Sequence, residues 1–230
     1  MQCCTLCHRQ DQMKPMTSMF PIRAISILFI LVILTGTRLC AQEKANRKDK
    51  MYFRSGFGFS FPVGDTQDYL STKFSTSLGL TLALGKGPLF LYPKLNLHAF
   101  GFNQLIAEPE YRDLAKNGRA TTYLLNMALG YRKTADKFGF YGFLGAGGGM
   151  ILTPRLKLTE DEGIATLTNK ASGMPIAETG GGIDYSLGPA ALIFFEASYL
   201  RGFTKVQGKN FQSVPLNFGV KTNISKLFFK

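Results

Sequence analysis

The sequence predicts an all-β protein: an eight-stranded antiparallel up-and-down transmembrane β-barrel, preceded by a cleaved signal peptide. Three observations carry that expectation. Residue polarity alternates with a period of two from Met51 almost to the C-terminus, the alternating segments number eight, and short connections alternate with long ones. A period of two marks a strand, whose successive side chains point to opposite faces.

The 230 residues suffice for one domain plus a processed segment. Ala24 to Thr35, "AISILFILVILT", is a continuous apolar run that follows Lys14 and Arg23 and precedes "RLCAQ". A basic start, a short apolar centre and a small residue before a polar one describe a secretory signal peptide over 1–41, cleaved after Ala41. A retained membrane helix needs ~20 apolar residues, more than this run offers. A lipid anchor on Cys40 is disfavoured by its approach, Thr37-Arg38-Leu39. A start at Met13 would remove Cys3, Cys4 and Cys7, and Cys40 leaves with the signal peptide. The mature chain therefore has no cysteine, and "CCTLC" is not a metal site.

Cleavage removes four basic residues (Arg9, Lys14, Arg23, Arg38) and one acid (Asp11) from the 27 and 15 of the full chain, which leaves a net charge of +9. A basic exported protein suits anionic partners such as lipid phosphates. Nucleic acid is not an expected partner of a chain that leaves the cytoplasm. Residues 42–50, "QEKANRKDK", read as a polar periplasmic linker, and 51–230 as the barrel.

The strands follow in order. The first, Met51 to Phe61, sets Met51, Phe53, Phe57, Phe59 and Phe61 against Arg54, Gly56, Gly58 and Ser60. The second, Lys73 to Gly85, sets Phe74, Leu78, Leu80, Leu82 and Leu84 against Ser75, Ser77, Gly79, Thr81 and Ala83. In the third, "LFLYPKLNLHAFGF", Leu89, Leu91, Leu95, Leu97 and Ala99 oppose Phe90, Tyr92, Lys94, Asn96 and His98. The fourth, Thr121 to Arg132, has Tyr123, Leu125, Met127, Leu129 and Tyr131 on its apolar side. The fifth, "FGFYGFLGAGGGMIL", is expected to turn Phe140, Leu144, Ala146 and Met150 outward. The sixth, Ile176 to Leu187, alternates Ala177, Ile183 and Tyr185 with Glu178 and Asp184. The seventh, Ala191 to Phe203, offers Ile193, Phe195 and Tyr199 against Glu196 and Ser198. The eighth, "VPLNFGVKTNI", offers Leu216, Phe218 and Val220 against Asn217, Gly219, Lys221 and Asn223.

The connections "GKGP", "KTADK" and "GPA" are short, whereas Pro62–Thr72, Asn103–Ala120, Thr153–Pro175 and Thr204–Ser213 read as long loops. Short turns on one rim and long loops on the other characterise transmembrane barrels, and an even strand count leaves both termini at the short-turn rim. A soluble closed barrel would point its apolar residues inward and need a charged exterior. The second strand's other face, Ser, Gly, Thr and Ala, would be a strange solvent surface but a sensible lumen. The apolar faces are therefore expected to meet lipid.

Catalytic and cofactor signals are sparse. The glycine runs "GAGGGM" and "TGGGI" lack the Gly-Lys-Ser/Thr and the helix of a phosphate loop, and read as relief of crowding inside a narrow barrel. His98 is the mature chain's one histidine, which leaves too few soft ligands for a metal site. A hydrogen-bonded interior histidine is expected, with a Ser-His-Asp arrangement as the competing reading. "EDEG", Glu160 to Gly163, lacks the spaced ligands of a calcium loop. No cofactor is expected. The lumen face should carry a charge network of Arg54, Lys94, His98, Arg132, Glu178, Asp184, Glu196 and Lys221, with Glu196 bridging Lys221, Lys94 or both. Buried charges must pair, and an eight-stranded interior has room only for side chains.

The signal peptide, the eight alternating strands and the final "NFGVKTNI", with its polar-x-Gly spacing, make 51–230 resemble the small outer-membrane β-barrel proteins of Gram-negative cells. The resemblance is to the PorT-like group and the OmpA/OmpX-type barrels. Thr222, where a hydrophobic residue is usual, and the ending "KLFFK" depart from the pattern. The resemblance is specific for architecture and place, the cell outer membrane, and says little about role. The paired, filled lumen makes a plug and not a pore, so the first reading is a non-enzymatic protein acting through its extracellular loops. Outer-membrane lipid and lipopolysaccharide are the implied partners, with other envelope proteins beside them. A part in a secretion or envelope-assembly machine is the second reading, and a lipid-modifying enzyme using His98 the third.

Overall fold

The computed structural model describes residues 51–107, 114–159 and 164–224. The signal peptide (1–41), the linker (42–50), the "EDEG" segment and the last six residues of the barrel region lie outside the described residues. The strands are β1 (Met51–Pro62), β2 (Leu70–Ala83), β3 (Leu89–Phe102), β4 (Gly118–Ala135), β5 (Phe138–Thr159), β6 (Ile164–Ser186), β7 (Ala191–Val206) and β8 (Lys209–Asn223). Each pairs antiparallel with its sequence neighbours, and β8 closes on β1 to form a sealed ring. Closure leaves no unpaired edge within the ring, which lipid would not tolerate.

Alternation sorts the side chains as the sequence predicts. Phe57, Leu125 and Leu144 stand on the outer wall with 58%, 64% and 68% of their surface exposed. Ser75, Ser77, Lys94, Asn126 and Glu196 point inward and are buried. An apolar exterior round a polar interior is the transmembrane arrangement. In β5, Phe140, Leu144, Ala146 and Met150 all face out. Tyr123 and Tyr131 mark the two ends of the outer face of β4. The rings of Phe138 and Tyr185 meet 5.1 Å apart at the short-turn rim, where amphipathic rings suit the interface.

Two of the expected long loops are not loops. β5 and β6 run on past the ring as a paired hairpin, from Thr153↔Lys170 to Thr159↔Ile164. β7 and β8 also continue, and meet at the two-residue turn Gln207-Gly208, with φ of 54° and 76°. Positive φ at both central residues is the turn that matches strand twist. Between Pro62 and Leu70 the chain makes a short 3-10 segment, Gly64–Asp68.

Proline accounts for two of the gaps in the ladder, because it has no N–H to donate. The β2–β3 register skips from Gly79↔Lys94 to Leu82↔Leu91 around Pro93, and the β7–β8 register skips from Ala197↔Leu216 to Leu200↔Ser213 around Pro215. Glycine accounts for the tightness of the wall. A methyl group built at Gly58 would overlap the carbonyl oxygen of Leu216, and one at Gly149 that of Tyr123. The inside is layered. Toward the loop end an apolar cluster includes Leu70, Phe100, Leu124, Ile151, Leu200 and Phe211, and toward the termini a second gathers Phe90, Tyr92, Tyr141 and Phe143.

Candidate functional site

Inward parity places charged side chains from six strands within the ring. Glu196 on β7 is the centre of the larger group, with none of its surface exposed. Arg54 Nη1 on β1 donates to Glu196 Oε2 at 2.6 Å, and the Tyr141 hydroxyl donates to the same oxygen at 3.0 Å. Lys94 Nζ on β3 donates to Glu196 Oε1 at 3.4 Å and to Glu178 Oε1 at 2.5 Å. The second oxygen of Glu178 accepts from Asn126 Nδ2 at 2.6 Å. Each carboxylate thus receives charge-assisted bonds on both oxygens, the condition under which a buried charge is tolerable.

A second group lies toward the termini. Asp184 on β6 stands 2.5 Å from Lys221 Nζ and 3.0 Å from Arg132 Nη2. Aromatic faces complete both enclosures. The Arg54 guanidinium lies 3.6 Å from the Phe194 ring centroid, Lys221 Nζ 4.0 Å from that of Tyr141, and Lys94 Nζ 4.4 Å from that of Phe143. Such contacts favour a cation most when water is excluded.

Of the two cations expected to bridge Glu196, Lys94 does so and Lys221 does not. Glu196 contacts Lys94, but its principal partner is Arg54, and Lys221 goes to Asp184. The reason is register. Glu196 is opposite Asn217, whereas Lys221 is opposite Leu192, so neighbouring strands bring the two residues to different heights. The same stagger sets Arg54 directly opposite Lys221 across the β1–β8 seam.

His98 also departs from expectation. It is fully buried and faces the lumen, yet neither Nδ1 nor Nε2 has a hydrogen-bond partner. Its ring lies 6.2 Å from that of Phe100. The neighbouring Ser75 hydroxyl donates to Asn217 Oδ1 at 2.6 Å, so no Ser-His-Asp relay forms. Tyr92 and Tyr141, which reach Glu196 with their hydroxyls, are the site residues that charge-based reading passes over. Their signal was an inward parity on aromatic residues.

No protein-family profile matches the chain, and no curated protein sequence matches it. Solved structures do. Neisserial surface protein A is 14% identical, with a TM-score of 0.49, over 75% of this chain and 96% of that one. Ail, the attachment invasion locus protein of Yersinia pestis, in complex with the heparin analogue sucrose octasulfate, is 16% identical, with a TM-score of 0.43, over 76% of this chain and 98% of that one. The N-terminal β-barrel domain of Pseudomonas aeruginosa OprF is 14% identical, with a TM-score of 0.37, over 76% and 96%.

Proposed function

We propose that this outer-membrane β-barrel is a non-enzymatic protein with a plugged lumen, which acts on the cell exterior through its loop-end face. The observation that carries the reading is the buried ion-pair group at Glu196. Arg54, Lys94, Glu178 and Glu196 are each almost fully enclosed, and the bulky rings of Tyr92, Tyr141, Phe143 and Phe194 pack around them. A water-filled channel would leave these charges solvated. An eight-stranded ring has interior width only for side chains, and apolar clusters lie on both sides of the charges.

The working part is then outside the membrane. The continued β5–β6 hairpin projects a two-stranded ribbon whose segments 153–159 and 164–170 pair only with each other. Unpaired backbone groups along such a ribbon can accept an extended segment of another envelope protein. A PorT-like place in an envelope-assembly machine would use the same ribbon with a different partner. The lipid-modifying reading of His98 lacks support in the geometry, because the ring has neither a nucleophile nor a carboxylate bonded to it.

Planar-bilayer recording of the purified barrel tests the plugged lumen, with no stable single-channel current expected. Steady ohmic conductance would overturn it. Cross-linking in intact cells from Leu167, an exposed apolar residue of the ribbon, with partner identification, tests the second half.

A further inference from the structure

The outer wall carries a groove near the loop end, across β3, β4, β5 and β6. Leu97, Tyr123 and Leu152 form its apolar part, and Arg119 and Asn169 its polar rim. Its volume is about 470 Å³ and it is open on its outer side. Part of its depth comes from Gly118, where a side chain would collide with Pro154. Large apolar side chains on the same wall, Leu125 and Met150 among them, stand out beside it.

One cation, Arg119, lines it, and a second, Lys73, stands beside it on the adjoining strand β2. The Arg119 guanidinium lies 5.3 Å from the Phe74 ring centroid. A bulge in β2 between Thr72 and Ser75 leaves Lys73 and Phe74 both exposed in succession, which is how a bulge re-aims a side chain. Lys73 thereby reaches the outer wall, with its Cε 3.7 Å from the position a Cβ would take on Gly101, the residue paired with Arg119. No described acid shares this wall. Glu178, Asp184 and Glu196 are inside the ring, Asp65 and Asp68 belong to the 3-10 segment, and Asp136 lies in a turn at the other rim.

We infer that the groove, with Lys73 and Arg119 at its mouth, is a binding site for one lipopolysaccharide molecule of the outer leaflet. Its phosphate sits between the two cations and one of its acyl chains lies along Leu97, Tyr123 and Leu152. The inference rests on the outer-membrane orientation adopted above, with the termini in the periplasm. Height and chemistry then agree. The loop end of the wall is where the outer-leaflet phosphates lie, cations near that surface attract them, and an arginine fork can take two phosphate oxygens at once. The apolar floor beneath distinguishes a lipid from a free phosphate or a soluble polyanion.

The test is titration of lipopolysaccharide into the detergent-purified barrel, with bound copies counted by native mass spectrometry. Heat-modifiable gel mobility confirms that each variant is folded. The paired change K73Q/R119Q should weaken retention about tenfold or more. Leu97→Trp should weaken it with both cations in place, by filling the groove. Arg201→Gln removes a cation from β7, on the opposite wall, and should leave retention unchanged. Should the double variant fold poorly, Lys73→Glu gives the same reading from a single exposed position. Equal losses from Arg201→Gln and from the paired change, or phosphatidylglycerol held as tightly as lipopolysaccharide, would mean diffuse charge attraction and overturn the site. Conductance is indifferent to these substitutions, so the plugged-lumen reading and the lipid site can fail separately.

Discussion

Arg54 and Glu196, 142 residues apart in the chain, meet at 2.6 Å with both side chains out of reach of solvent. Removing one partner of such a pair strands the other in a low-dielectric interior. Glu196→Ala should therefore cost about 3–5 kcal/mol in urea unfolding from lipid vesicles. Combining it with Arg54→Met should cost less than the two single changes added, the sign of direct coupling. Strictly additive losses would show the charges to be independently solvated.

The partner of Lys221 can be tested in the same way. Mutant cycles should give a coupling of roughly 0.5–3 kcal/mol between Lys221 and Asp184, and a smaller value between Lys221 and Glu196. The reverse order would mean that the β7–β8 register differs from Leu192↔Lys221.

The facing of the wall makes a chemical prediction. Leu144→Arg puts a charge on an outward position midway along the membrane part of β5, and should destabilise the barrel by ~2–4 kcal/mol. The barrel segment 51–230 has no cysteine of its own, so Leu125→Cys should react with a lipid-phase maleimide and Ser77→Cys should not. Labelling of Ser77→Cys alone would turn the barrel inside out.

Gly58 offers a test of how closely the seam is packed. Its missing side chain lets the Leu216 carbonyl approach, so Gly58→Val should slow or abolish the heat-modifiable band on refolding. Gly85 sits in a short turn with nothing near its Cβ position, but its φ of 68° makes a side chain there mildly strained. Gly85→Asn, a residue that tolerates that conformation, should fold normally. Equal behaviour of the two variants would remove the packing explanation.

Processing is open to direct measurement. N-terminal sequencing of the membrane form should begin near Gln42, after loss of 1–41. A mature N-terminus at Met1 or Met13 would overturn the signal peptide.

Much of the fold was legible because lipid enforces a simple rule. Most outward positions must be apolar, so polarity alternation in β1 to β8 reports the facing of each strand. Above the membrane the rule lapses. "TPRLKLT" and "IATLTNKASG" mix polar and apolar residues and include Pro154, with Pro175 just beyond, so they read as a loop although they form a hairpin. Both prolines are tolerated because each lies where β6 or β5 is its strand's one partner. The lumen was legible only by face. Parity put Arg54, Glu196 and Lys221 inside, but the stagger that gives Glu196 to Arg54 depends on how all eight strands tilt around the ring, and no single strand encodes that.

The seam between β1 and β8 has a consequence for the order of assembly. The other seven pairings join strands consecutive in sequence, so each can zip from a nearby turn, whereas β1 must find β8 across the whole chain. Such a long-range closure is the slow and late event. It also brings Arg54 against Lys221, two cations face to face. Their counter-charges, Glu196 and Asp184, come from β7 and β6 rather than from either seam strand. The seam strands therefore carry like charges, and both are neutralised only in a ring that includes the sixth and seventh strands.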